Sequence, residues 1–191
     1  MMDCIMRFSR KIKLAIILLV SAGLNTSVIA ENKILVSLLD IHQVKNIAYV
    51  SFNQRIDLTP ELFGALEKGI PLQFNVNFQI IEHNKFWLDQ IVLMKKGTYQ
   101  IKYKNLIQQY EAININGDKK YFSEIKDGIN FIENVKEWNV GIAVEPIGNL
   151  VMSLKVKLDK SSLPKPIQLN IGDDIWKLQS DSIVNIIETG N

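Results

Sequence analysis

The chain has 191 residues, with 22 lysines and arginines against 20 aspartates and glutamates, and one cysteine. This length fits one domain with a single core, and one cysteine excludes an internal disulfide framework. The formal net charge of +2 is too small to indicate a polyanion-binding protein, and its sign depends on the N-terminal segment.

The first thirty residues have the layout of a secretory signal peptide. An apolar run of 11 residues from Leu14 to Leu24 is followed by small residues that end at Ala30. A helix needs about 20 apolar residues to cross a bilayer, so this run is too short to favour a membrane anchor. Four basic residues precede the run: Arg7, Arg10, Lys11 and Lys13.

We therefore predict a signal peptide over residues 1–30, folded as an N-terminal signal helix, with cleavage after Ala30. The protein is then exported to the periplasm or cell envelope. The alternative is an inner-membrane protein anchored by uncleaved residues 14–24, and the membrane is otherwise not expected as a partner.

Removal of the signal changes what the composition indicates. Four basic residues and one acidic residue leave with it, so 18 basic and 19 acidic residues remain and the net charge becomes −1. Cys4 leaves as well, so the fold of residues 31–191 is predicted to need no disulfide. This composition favours a single domain and gives no reason to expect a nucleic-acid partner.

Alternation of apolar and polar residues is the main structural signal in residues 31–191. It is clearest from Pro71 to Ile81 and from Leu150 to Leu158, where one set of side chains can face a core and the other water. Further strands are predicted at Ile34–Leu39, Val44–Phe52, Trp87–Lys95, Tyr99–Tyr103, Gln108–Ile115, Lys119–Phe122, Ile167–Ile171 and Ile175–Gln179.

Two short helices are predicted between these strands. Thr59 suits the N-cap of a helix from Pro60 to Lys68, and Gly69 suits its end. The second helix spans Glu124–Asn134, where isoleucines recur at helical spacing. Together these elements predict a mainly β fold, an antiparallel β-sandwich that is immunoglobulin-like or related. An open barrel is the alternative.

Residues that could carry catalysis are few. His42 and His83 are expected in loops, and neither belongs to a zinc-binding or nucleophile motif. Asp173-Asp174 follows a glycine and is typical of a turn rather than a calcium site. We therefore predict no enzyme, no catalytic or metal residues and no cofactor; a hydrolase using His42 or His83 is the less favoured alternative.

Two further features could support binding. Trp87, Trp138 and Trp176 could form a sugar-stacking platform, but each has aliphatic neighbours, which favours core packing. The segment Leu163-Pro164-Lys165-Pro166 is predicted to be extended, because its two prolines cannot donate hydrogen bonds to a sheet. We predict it as an interaction segment, although a purely structural use is favoured.

Several segments also resemble one protein family. They are Leu58-Thr59-Pro60-Glu61-Leu62, Gly69-Ile70-Pro71-Leu72, the series Tyr99, Ile101 and Tyr103, Leu163-Pro164-Lys165-Pro166, and Trp176-Lys177-Leu178-Gln179-Ser180. In order and spacing they are similar to the uncharacterised secreted bacterial family called domain of unknown function 4390, over about residues 34–181. The resemblance implies an envelope protein, supplies no active-site residues, and suggests a membrane sensor histidine kinase as a partner.

These features lead to one expected function and one alternative. We expect a secreted or periplasmic, non-enzymatic protein-interaction module of the cell envelope, whose partner is an envelope or inner-membrane protein such as that sensor kinase. The alternative is a β-sandwich that binds a small ligand (a glycan, lipid or peptide) in an aromatic-lined cleft between its sheets.

Overall fold

The computed structural model describes residues 34–83, 88–142, 149–165 and 177–187. Most of this part of the chain is strand, with two α-helices and one 3-10 helix. The strands are β1 Ile34–Val44, β2 Ile47–Ile56, β3 Leu72–His83, β4 Gln90–Lys104, β5 Gln109–Ile113, β6 Lys119–Phe122, β7 Asn134–Ile142, β8 Asn149–Leu158 and β9 Ile183–Ile187. The helices are α1 Pro60–Glu67, α2 Ile125–Glu133 and the 3-10 helix Lys160–Ser162.

The described strands form two antiparallel sheets. The smaller sheet has the order β1-β2-β7 and the larger has the order β6-β5-β4-β3-β8-β9. Strands β3 to β6 follow one another across the larger sheet, and β8 pairs with the free side of β3. The predicted class, a mainly β fold of antiparallel sheets with two short helices, is confirmed.

Strand β3 shows how the sequence pattern creates the core. Its even-numbered residues from Leu72 to Ile80 are at most 2% exposed, whereas the odd-numbered residues between them are only partly buried. The buried set faces the smaller sheet, where Trp138 of β7 contacts Phe78 edge-on with 6.5 Å between ring centroids. The outer face of the larger sheet is therefore the polar one.

Helix α1 follows the predicted capping pattern. The Thr59 side chain accepts a hydrogen bond from the Leu62 backbone N–H at 3.3 Å, and Pro60 occupies the first helical turn. Gly69, with φ of +80°, ends the helix in a conformation that favours glycine. Leu62 and Leu66 are fully buried, so the helix covers one part of the core.

Four strands differ from the prediction. The predicted strand Ile175–Gln179 is absent from its described part, residues 177–179, where Gln179 makes only an isolated bridge with Lys157. The segments Trp87–Lys95 and Tyr99–Tyr103 were predicted as separate strands, but residues 90–104 form one continuous strand, because residues 96–98 also pair with β3. Strand β7 was not predicted, since its pairing with β2 is irregular and Glu137 has φ of +50°, which breaks the two-residue alternation. Strand β9 was not predicted either; it pairs with β8.

Some predictions concern residues outside the described ranges. They are the signal peptide and its cleavage after Ala30, the strand Ile167–Ile171, Asp173-Asp174, Trp87, Trp176 and Pro166. Within the described ranges, no helix has both the length and the apolar character needed to cross a membrane.

Candidate functional site

The structure places the two histidines on different sheets. His42 lies within β1, not in a loop as predicted, and its ring stacks on Tyr49 with 5.6 Å between centroids. His83 is the last residue of β3, and its Nδ1 lies 2.8 Å from the Asp89 carboxylate in a half-exposed pair. Among the residues described, no three histidine, cysteine, aspartate or glutamate side chains are grouped as a metal site would require.

Trp138 is a core residue. It is 4% exposed and lies between the sheets against Phe78. The expectation of core packing is thus correct for this tryptophan, and no sugar-stacking surface can include it.

The predicted interaction segment is partly described. Leu163 is extended and buried at the end of the 3-10 helix, whereas Pro164 and Lys165 are exposed. Lys165 is helical, so the prediction of an extended segment is wrong at this residue. A partner could reach Pro164 and Lys165, so their role in binding remains a prediction.

A concave surface lies on the outer face of the larger sheet, where β4, β3 and β8 run side by side. Its volume is about 630 Å³. We call it the lysine groove, and it is lined by Asn75, Val76, Asn77, Lys96, Gly97, Thr98, Lys155, Lys157 and Gln179.

Strand register brings the polar side chains of the groove together. Asn77 of β3 is paired with Lys96 on one side and with Lys155 on the other. Paired residues in neighbouring strands project from the same face, and neighbouring strands lie about 4.8 Å apart. The backbones of Lys96 and Lys155 are therefore about 10 Å apart, with the Asn77 amide between them.

The next row along the sheet repeats this arrangement. Asn75 is paired with Thr98 and with Lys157. Gln179 reaches the same end of the groove because it forms a bridge with Lys157. Backbone hydrogen bonds of 2.8 Å from Leu158 N–H to the Leu178 carbonyl and from Ser180 N–H to the Val156 carbonyl hold this segment against β8.

The groove contains three lysines that make no close ion pair with a described acidic side chain. In the described ranges, Lys96, Lys155 and Lys157 have no carboxylate oxygen within 4.0 Å. Lysines elsewhere on the larger sheet differ in this respect, since Lys104 and Lys119 lie 3.4 and 3.5 Å from the Glu111 carboxylate. An anionic ligand could therefore meet three cations, and the nearest described carboxylate, Asp159, acts on Lys157 only from a distance.

Asp159 is the acidic group closest in sequence to the groove lysines, but the 3-10 helix uses its carboxylate. The Ser161 hydroxyl donates to it at 2.6 Å and the Ser161 N–H at 3.0 Å. The hydrogen bond from the Ser161 hydroxyl, with smaller contributions from Asn75 and from the charge of Lys157, lowers the pKa of Asp159. Asp159 therefore stays ionised as the cap of that helix and forms no close ion pair with Lys157.

The Asn77 amide oxygen is the second unusual feature of the groove. It is buried, and no hydrogen bond reaches it from the residues that the structure describes. Buried polar atoms without a partner cost about 1–3 kcal/mol, so they are uncommon in folded proteins. Because this oxygen is enclosed, a ligand could donate a hydrogen bond to it only after the surrounding side chains move.

Only part of this groove could be predicted from the sequence. The alternation in β3 and β8 predicts that Asn75, Asn77, Lys155 and Lys157 face water, but any one-sided antiparallel sheet has such a face, so this prediction does not indicate a binding site. Lys96 could not be assigned to the same site, because the pairing of strands cannot be deduced from one sequence.

Comparison with known proteins gives one match. The model of the family described as Domain of unknown function (DUF4390) matches residues 31–184. No curated protein and no solved structure gave a significant match.

Proposed function

This chain belongs to the family described as Domain of unknown function (DUF4390), and we propose that it is an exported, non-enzymatic binding module of the cell envelope. In this proposal the lysine groove binds an acidic segment of a partner protein. An envelope or inner-membrane protein is the proposed partner, and a membrane sensor histidine kinase is the first candidate.

The presence in one concave surface of three lysines that form no close ion pair among the described residues carries the proposal. Lys96, Lys155 and Lys157 converge there although residues 31–191 have a net charge of −1. Opposite charges attract over about 8–10 Å at physiological ionic strength, which favours encounters with acidic segments. Because binding needs only complementary charge and hydrogen bonds, the groove requires no reactive group.

The proposal of export has separate support. The basic start, the 11-residue apolar run and the small residues before Ala30 fit a signal peptide. The match to the family begins at residue 31, directly after the proposed cleavage site. Mass spectrometry of the protein from a periplasmic fraction tests this: a mature N-terminus at Glu31 is expected, and a full-length membrane-bound product would contradict it.

A labelled peptide tests the binding function directly. We expect a fluorescent peptide of alternating glutamate and glycine to bind the mature protein, and expect its anisotropy signal to fall as salt rises. The triple variant Lys96→Glu, Lys155→Glu, Lys157→Glu should weaken binding at least tenfold. No binding at low salt, or equal binding by this variant, would contradict the proposal.

A matched variant controls for net charge. Lys68, Lys126 and Lys136 are exposed lysines outside the groove, and their triple change to glutamate alters the net charge by the same amount. This control variant should keep the affinity of the unmodified protein. The same set of proteins can then be used to capture partners from envelope extracts, with the groove variant as the negative control.

A small anionic ligand is the second candidate. The groove volume of about 630 Å³ lies within the usual range of small-molecule sites, about 300–1,000 Å³. Inorganic phosphate and a sugar phosphate should then compete with the acidic peptide at micromolar concentrations. Competition only at concentrations that act through ionic strength would favour the protein partner.

A further inference from the structure

The outer face of the larger sheet changes character along its strands. The two rows that contain Asn75 and Asn77 form the lysine groove. The next row is Met94, Gln79 and Ser153, and the row after it is Ile91, Ile81 and Val151. Polar and basic side chains therefore give way to apolar ones over six residues of β3.

The apolar end of this face is accessible to solvent. Ile91 and Met94 are 49% and 48% exposed, and Ile81 beside them is partly buried. Val151 is only 7% exposed, so we call Ile81, Ile91 and Met94 the apolar row. These exposed aliphatic side chains adjoin the lysine groove, so one ligand could make apolar and charged contacts on the same face.

The distance between the two surfaces follows from strand geometry. Residues in a strand advance about 3.3 Å each, so Ile81 lies about 13 Å from Asn77 and about 20 Å from Asn75. An extended peptide covers the same distance in about four to six residues. One peptide segment could therefore contact both surfaces at once.

On the basis of the function proposed above, we infer that the bound segment is extended and amphipathic. Its acidic residues lie in the lysine groove, and an apolar side chain about four to six residues away packs on the apolar row. The partner is thus a protein with an acidic stretch followed or preceded by an exposed aliphatic or aromatic residue.

The shape of the apolar end favours a peptide over an anionic lipid. Ile91 and Met94 are half exposed on an open sheet face. Such a face can cover one side chain but would leave much of a long acyl chain in water.

Three labelled peptides test the inference by fluorescence anisotropy. The first is the acidic peptide used above, the second carries a leucine about five residues from its glutamates, and the third carries the leucine directly beside them. Partial burial of one leucine side chain should tighten binding about tenfold for the second peptide. The third should bind no better than the first.

Protein variants test whether the tighter binding of the second peptide depends on the apolar row. The double variant Ile91→Ser, Met94→Ser should lose the tenfold gain while binding the first peptide normally. Two exposed apolar residues outside both surfaces, Leu106 and Ile142, provide the matched serine control, which should keep the gain. If the double variant unfolds at a lower temperature, the single change Met94→Gln replaces it.

The possible results distinguish a failure of this inference from a failure of the proposed function. Failure of all three peptides to bind would contradict both. Binding that the leucine does not tighten, or tightening that does not depend on spacing or on Met94, would overturn the inference. The proposed binding of acidic segments by the lysine groove would then still stand. Tighter binding of dodecyl phosphate or of phosphatidylglycerol vesicles, lost in the double variant, would also overturn it.

Discussion

The Tyr99 hydroxyl donates a hydrogen bond to the Gln54 side-chain oxygen at 2.8 Å, and this contact joins the two sheets inside the core. Gln54 in turn donates from its amide nitrogen to the Ile132 carbonyl of α2 at 3.0 Å. Burial raises the pKa of Tyr99 well above its usual value, so the hydroxyl stays protonated and remains a donor. The larger sheet, the smaller sheet and α2 are thereby fixed to one another by polar contacts.

Loss of the Tyr99 hydroxyl should destabilise the protein. In Tyr99→Phe the buried Gln54 oxygen keeps no partner among the described residues, and we expect a decrease of about 1–3 kcal/mol in the free energy of unfolding. Urea denaturation measures it. Tyr49→Phe serves as the control, because Tyr49 is a partly buried tyrosine with no side-chain hydrogen bond in the described ranges. Equal stability of the two variants would show that the contact between the sheets contributes nothing.

Gly97 allows the sheets to approach closely at Trp138. A methyl group at this position would lie 2.6 Å from the Ile115 side chain and 2.7 Å from the Trp138 ring. We therefore expect Gly97→Ala to lower the free energy of unfolding by about 1–3 kcal/mol through overpacking. It should also change the Trp138 fluorescence.

At Gly64, unlike at Gly97, a change to alanine should stabilise the protein. Gly64 lies within α1, and a methyl group there would meet no atom within 4 Å. Because alanine is the better helix former, Gly64→Ala should stabilise the protein by about 0.5–1 kcal/mol. Thermal unfolding of the two variants tests both expectations, and a stabilised Gly97→Ala protein would contradict the close packing described here.

The fold could be predicted from local sequence signals where those signals were regular. The unbroken alternation of β3 and the Thr59-Pro60 start of α1 gave elements that the structure confirms. Strand β7 was missed because Glu137 adopts a positive φ and shifts the register, so that Val135 and Trp138, three residues apart, face the same core. Such an irregularity depends on the neighbouring strand and leaves no periodic pattern.

The candidate site was harder to predict than the fold. The sequence predicts that Lys155 and Lys157 face solvent. A solvent-facing lysine does not indicate a binding site unless the side chains around it are known. Lys96 is 59 residues from Lys155 in the sequence, and it lies near Lys155 and Lys157 only because β4 and β8 both pair with β3. Non-local pairing of this kind decides where binding surfaces form in antiparallel sheets.

Glu111 should make the protein sensitive to acid. Burial alone would raise the pKa of this glutamate, but the hydrogen bond from Tyr121 and the charges of Lys104 and Lys119 outweigh burial and lower its pKa below 4.5. A lowered pKa in the fold means that the carboxylate stabilises the protein above pH 4.5 and loses this effect as the pH falls through the folded-state pKa. Glu111→Gln should therefore be less stable than the unmodified protein at neutral pH.

Denaturation at two pH values tests this expectation. The stability difference between the unmodified protein and Glu111→Gln should shrink as the pH falls from neutral to about 3. Tyr121→Phe removes the 2.8 Å hydrogen bond to the carboxylate, so part of the same pH dependence should disappear in that variant. A difference that stays constant across this range would show that Glu111 acts through packing and not through its charge.

Glu133 should show the opposite pH dependence. Burial raises its pKa above 4.5, assisted by the charge of Asp57 and opposed by a hydrogen bond from the Ile56 N–H and by Arg55. A raised pKa in the fold means that the stabilising effect is complete below pH 4.5 and is lost as the pH rises through the folded-state pKa. Glutamine resembles the protonated form and keeps the oxygen that accepts the 2.6 Å hydrogen bond from Ile56.

Glu133→Gln should therefore be more stable than the unmodified protein at neutral pH, with a gain that disappears in acid. Glu111→Gln also removes one carboxylate, but its change in the free energy of unfolding should have the opposite sign. Urea denaturation of both variants at neutral pH is sufficient to compare them. Destabilisation by both changes would mean that the hydrogen bond from Ile56 requires a full negative charge on Glu133, and that burial of this carboxylate costs less than its raised pKa implies.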